Sequence, residues 1–147
     1  MTGIPQSNNP KEKIGDFMTT PVISIDVKAT VQQAAHMMGD NNASAILTAE
    51  NGKHIGIITE RDFTRKVVGA GLALSAPVSE IMSCPLYTLD RDNHVLEAAE
   101  FMADHNTRHI TVTDQDKVVG ILTVKNTFSY YMNLFGLESY DPTTSED

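Results

Sequence analysis

Gly56-Ile57-Ile58-Thr59-Glu60-Arg61-Asp62 reads as the end of an apolar strand that runs straight into a helix. Thr59 is a good N-cap residue, and Asp62 stands three positions on, the spacing of a capping box. The first backbone N–H groups of a helix have no intrahelical partner, so such a start can hold a phosphate. The stretch recurs 64 residues later as Gly120-Ile121-Leu122-Thr123-Val124-Lys125-Asn126.

The same offset holds outward in both directions without a gap. It aligns Met18-Thr19-Thr20-Pro21 with Met82-Ser83-Cys84-Pro85, and Val31, Ala34, Ala35 and Met38 with Val95, Ala98, Ala99 and Met102. Ile46 falls on Ile110 and Lys53 on Lys117. A chance match would not keep one offset over a whole unit, so the chain is an internal duplication.

Each copy predicts β-α-β-β-α. Val22 to Ile25 is a short strand entered through Pro21, which cannot donate to a ladder. Thr30-Val31-Gln32-Gln33 opens a helix as a capping box, with Val31, Ala34, Ala35 and Met38 as its apolar stripe. That helix stops between Gly39 and Asn42. Ala45 to Thr48 and Ile55 to Ile58 form a hairpin across Asn51-Gly52. Thr59 opens a second helix that runs to about Val68. In the second copy the strands are Leu86 to Leu89, Ile110 to Thr113 and Val118 to Leu122. The helices are Val95 to Asp104 and Thr123 to about Phe135, the last stopped by Gly136.

The expected fold class is α+β, with two tandem repeats packed sheet to sheet in pseudo-two-fold symmetry. A unit of about fifty residues buries too little surface to be secure alone. The symmetry places two related clefts between the halves. The partition reads as an N-terminal arm over 1–13, repeats over 14–68 and 78–137, a linker over 69–77, and an acidic tail over 138–147.

The 147 residues are 41% hydrophobic, enough for a core, and carry a net charge of −8. That balance argues against nucleic acid as a partner. No apolar run is long enough for a bilayer, and the single Cys84 fits a reducing compartment, so a cytoplasmic protein without a membrane partner is expected. An anion site requires the few basic residues to converge, which draws attention to Arg61, Arg108 and Lys125. No Ser/His/Asp order, carboxylate pair or phosphate-cradling glycine loop supports catalysis, so the chain reads as a non-enzyme. His105 and His109 straddle a helix-to-strand boundary and share no face, so no metal site is expected.

Met-Thr/Ser-x-Pro, the Ala-Ala helix and Gly-h-h-Thr-x-x-Asp/Asn (h apolar), each occurring twice at one spacing, resemble the CBS domain pair, or Bateman module. The resemblance spans roughly Ile14 to Tyr131. It implies a stand-alone regulatory module that binds AMP, ADP or ATP, with S-adenosylmethionine or NAD as other adenosyl ligands. It also implies a disc-like homodimer that signals by conformational change to a separate effector protein.

The family's ribose–phosphate motif maps onto Thr59 and Asp62, and onto Thr123 and Asn126. It assigns the Thr hydroxyl to phosphate and the carboxylate to the ribose diol, for which Asp62 is the better acceptor. The family's Arg-x-x-Pro-Val matches Arg108-His109-Ile110-Thr111-Val112, with Thr111 in place of Pro. Its first-copy counterpart is Ser44-Ala45-Ile46-Leu47, which lacks the basic residue. Val22-Ile23 and Leu86-Tyr87 would line the adenine pocket, and Arg108 would reach the phosphates at the Thr59/Asp62 site.

Each of these residues also has a plainer reading. Thr59 and Asp62 can be a capping box alone, and Arg108 a solvated charge. Arg61, Arg65 and Lys66 read as a wet helix face. Phe128, Tyr130, Tyr131, Met132, Leu134, Phe135 and Leu137 give the last helix more apolar surface than one core face needs, which suits a dimer. The alternative to a nucleotide sensor is a ligand-free dimerisation and interaction scaffold.

Overall fold

The computed structural model describes residues 11–137; the polar tail and the first ten residues of the arm lie outside them. The chain divides into two compact units. One is Val22–Leu86, here the first unit. The second unit joins the described residues up to Pro21 with those from Tyr87 onward.

In the first unit, β1 (Ser24–Asp26) pairs in parallel with β2 (Ala45–Glu50), which pairs antiparallel with β3 (Lys53–Thr59). The hairpin turns through Asn51 at φ 51° and Gly52 at φ 78°, the left-handed pair that Asn-Gly supplies. Helix α2 (Val31–Asp40) starts at Thr30, whose hydroxyl accepts from the Gln33 N–H at 3.1 Å while Gln33 Oε1 accepts from the Thr30 N–H at 2.9 Å. Val31, Ala34 and Met38 of α2 are buried against Ile25, Ile46 and Ile58. Ala35 is exposed. The buried stripe is therefore narrower than the sequence suggested.

The second unit repeats the plan. It has β4 (Thr88–Asp90), α4 (Val95–Asp104), β5 (His109–Asp114), β6 (Lys117–Thr123) and α5 (Val124–Leu134). Gly136, at φ 67°, follows α5. Strands β1 and β4 both begin two residues later than the sequence suggested. Even so, the Ile23 and Tyr87 carbonyls accept from the Leu47 and Thr111 N–H groups at 2.9 and 3.2 Å.

The leading segment of each copy belongs to the unit built by the other. Helix α1 (Ile14–Phe17) lies in the second unit, where Ile14 is fully buried with Val95, Ala98 and Ile110. Its counterpart Val78, in a 3₁₀ turn over Val78–Glu80, is fully buried in the first unit with Ile81. The stretch 69–77 is not a free linker. The Leu74 and Ala76 carbonyls accept from the Gln32 and Val31 N–H groups at the start of α2, at 3.1 and 2.8 Å. Nor is the end of the arm free, since the Glu12 carbonyl accepts from the Val95 N–H at 2.8 Å.

Glycine in the Gly-h-h-Thr motif serves this exchange. Ser83 exchanges two backbone hydrogen bonds with Ile57, at 2.9 and 3.0 Å, next to Gly56. A Cβ on Gly56 would lie 3.0 Å from the Ser83 carbonyl oxygen and 2.8 Å from Thr48 Oγ1. Thr19 and Ile121 make the same exchange beside Gly120.

Candidate functional site

One end of the first unit's sheet collects most of the residues singled out from the sequence. Val22-Ile23 precede β1, Ser44-Ala45 open β2, and Thr59 closes β3. Ala45 and Thr59 are register partners, and the Ser44 carbonyl accepts from the Glu60 N–H at 3.1 Å. From Thr59 the chain turns into α3 (Glu60–Asp62) and then a π-helix over Phe63–Val68, where the Gly69 N–H reaches back to the Thr64 carbonyl at 2.8 Å. The sequence predicted an ordinary helix here.

Asp62 is only 8% exposed. Its Oδ2 accepts from the Thr59 N–H at 2.8 Å and from Thr59 Oγ1 at 3.3 Å. Its Oδ1 lies 3.0 Å from Lys66 Nζ, which also donates to the Ile81 carbonyl at 3.0 Å. Lys66 is thus not simply part of a wet helix face. Its i,i+4 spacing from Asp62 was visible in the sequence as an ion-pair signal. Arg61 is exposed, and Leu86, partly buried, ends the unit.

The second unit gathers Tyr87 before β4, Arg108-His109 at β5 and Thr123 to Asn126 at one end of its own sheet. Asn126, also 8% exposed, accepts at Oδ1 from the Thr123 N–H at 2.9 Å and from Thr19 Oγ1 at 3.3 Å. Its own N–H donates to Thr123 Oγ1 at 3.2 Å. Thr19 carries no local signal of this role, because it precedes its partner by 107 residues and arrives through the exchanged segment. Arg108 and Lys125 are exposed. The Tyr87 ring is set against Phe101 and His105 of its own unit, with centroids at 5.3 and 5.1 Å, and is 53% exposed.

The helix starts offer an anion fewer amides than the sequence implied. The Glu60 and Val124 N–H groups are taken by the Ser44 and Arg108 carbonyls, each at 3.1 Å. Arg61, Lys125 and Arg108, the basic residues singled out from the sequence for an anion, are all exposed. A concavity of about 680 Å³ lies along α2 between Gln32 and Asn41 and contains none of the predicted ligand residues. Among the described residues, no group of three or more His, Cys, Asp or Glu side chains could hold a metal ion. No helix among them is long and apolar enough to cross a membrane.

Comparison with known proteins agrees with this architecture. The CBS domain model matches residues 14–69 and 78–133. The CBS domain-containing protein YhcV of Bacillus subtilis is 33% identical over 111 residues, covering 76% of this chain and 79% of YhcV. A crystal structure of a conserved protein from Pyrococcus horikoshii superposes with a TM-score of 0.76 at 27% identity, covering 82% of this chain and 92% of that one. The CBS domain protein PAE2072 of Pyrobaculum aerophilum, solved in complex with AMP, superposes with a TM-score of 0.71 at 24% identity, covering 78% of this chain and 88% of that one. Two sheet-and-helix units, the duplicated Gly-h-h-Thr motif and the matched residues together place this chain in the CBS domain family, as a pair of CBS domains.

Proposed function

We propose that the chain is a regulatory module that binds an adenine nucleotide of the AMP, ADP or ATP type and has no catalytic role of its own. Asp62 carries this reading. It is a nearly buried carboxylate held at a strand-to-helix junction, with Oδ1 facing one donor and so keeping acceptor capacity for a ribose hydroxyl. Thr59, the Ser44-Ala45 backbone and Val22-Ile23 lie at the same sheet end. The AMP held by PAE2072 supports the choice of ligand. Asn126 is the weaker counterpart, an uncharged acceptor already serving Thr123 and Thr19.

A nucleotide signals only if it favours one arrangement of the protein over another. In this reading the arrangement is that of a homodimer, read by a separate effector protein. The exposed stripe of Val124, Phe128 and Tyr131 on α5, continued by Phe135 at its C-cap, supports a self-associating face. The same stripe favours the second reading, a ligand-free interaction scaffold in which Asp62 is only a cap.

Thermal unfolding against AMP, ADP, ATP, S-adenosylmethionine, NAD and 2′-deoxy-AMP separates the two. A ligand at about a hundred times its Kd adds about 2.7 kcal/mol. A shift with one adenine nucleotide, reduced by the deoxy sugar, is the expected result. No shift with any of them favours the scaffold.

A further inference from the structure

The two copies differ at the residue one helical turn beyond the ribose motif. In the first unit this is Lys66, whose Nζ lies 3.0 Å from Asp62 Oδ1 and donates to the Ile81 carbonyl at 3.0 Å. In the second unit the equivalent position is Tyr130, whose ring packs edge-on against Phe17 and His94 at 5.9 and 5.6 Å. The acceptors differ in step with this. Asp62 is a carboxylate, whereas Asn126 is an amide served by the neutral donors Thr123 and Thr19. Each copy therefore keeps its buried acceptor neutral overall, the first by an ion pair and the second by chemistry.

We infer that Lys66 is a positioning residue that holds the Asp62 carboxylate aimed, and so gives the first site its selectivity for a ribose diol. This rests on the nucleotide reading of that site. The side chain of Asp62 is 10% exposed, and burial penalises an unpaired carboxylate. The geometry also fixes orientation. Thr59 holds Oδ2 and Lys66 holds Oδ1, with the lysine anchored to a backbone carbonyl beyond the helix. Lys66 touches no ligand in this scheme. Its effect passes through Asp62 alone, so it bears on the sugar hydroxyls rather than on the base.

The test is titration calorimetry of AMP and 2′-deoxy-AMP into the wild-type chain, K66M, K66Q and K66R, with circular dichroism to confirm folding. K66Q keeps a donor for the Ile81 carbonyl but carries no charge, so it serves if K66M does not fold. In the wild type the ribose form should bind about tenfold more tightly, the worth of one charge-assisted hydrogen bond. In K66M and K66Q the ratio should fall toward one, and in K66R it should persist. A ratio unchanged in folded K66M or K66Q overturns the role of Lys66 and leaves the nucleotide reading standing. Equal loss for both sugars also overturns it, since a merely structural lysine would act that way. A wild-type chain that binds neither nucleotide overturns both.

Discussion

Replacing Gly56 with alanine tests whether the motif glycine serves the exchange of leading segments. The added Cβ would sit 2.8 Å from Thr48 Oγ1, 3.0 Å from Met82 Sδ and 3.0 Å from the Ser83 carbonyl oxygen. The methionine end can swing away, although it leaves its 3.1 Å contact with the Thr48 hydroxyl. The Ser83 carbonyl cannot retreat freely, because Ser83 and Ile57 hold each other through two backbone hydrogen bonds. Overpacking of this kind costs about 1–3 kcal/mol. Restriction of the unfolded chain by alanine returns about 0.4–1 kcal/mol. The net expectation is a destabilisation of about 1–2 kcal/mol, or about 3–6 °C in Tm at this chain length. Gly120→Ala should behave alike, since its Cβ would meet Met18 Sδ at 2.8 Å and the Thr19 carbonyl at 3.0 Å. Gly39 is the control. It lies in α2 with nothing within 4 Å of a built Cβ, so Gly39→Ala should stabilise by about 0.5–1 kcal/mol. Urea and thermal unfolding followed by circular dichroism would read all three. If Gly56→Ala is neutral or stabilising, the close-approach account is refuted.

Thr111 is 1% exposed and its hydroxyl has no hydrogen-bond partner among the described residues, so Thr111→Val should be neutral or stabilising by up to about 1 kcal/mol in the same unfolding assay. Thr30→Ala removes a reciprocal capping box and should cost about 1 kcal/mol, read as a lower urea midpoint at unchanged slope. Burial pushes the Tyr130 phenol above its ordinary value of 10.0, with the Glu12 carboxylate and Tyr131 adding to it. A group raised on folding contributes stability that is complete below its unfolded pKa and lost as pH rises through the folded one. Melting curves should therefore show an extra loss of stability above about pH 10 that Tyr130→Phe abolishes.

Most of the architecture was legible because it rests on local chemistry repeated at one offset. Thr30 and Gln33, Asn51-Gly52, and Thr123 with Asn126 each fix a boundary through contacts spanning three residues or fewer. The hairpin of β2 and β3 was legible in Asn51-Gly52, whereas the parallel pairing of β1 with β2 emerged only in the fold. What escaped the sequence was long-range. Periodicity says that Ile14 and Val78 are apolar, but not that each fills the core of the other copy's sheet. For the same reason Thr19 could not be assigned to Asn126. Thr59 and Asp62 were singled out by their spacing, whereas the ion pair of Asp62 with Lys66 was not. That pair is completed by the Ile81 carbonyl just after the 3₁₀ turn at Val78–Glu80, which accepts from Lys66 Nζ at 3.0 Å.

The central claim is that an adenine nucleotide is recognised at the junction where β3 becomes α3. A ¹⁵N-labelled sample titrated with AMP, its amide spectrum assigned, tests this residue by residue. The account predicts saturable shifts centred on Ser44, Ala45 and Thr59 to Asp62, weakened with 2′-deoxy-AMP. Absence of shifts at saturating AMP, or shifts confined to the exposed face of α5, would contradict it.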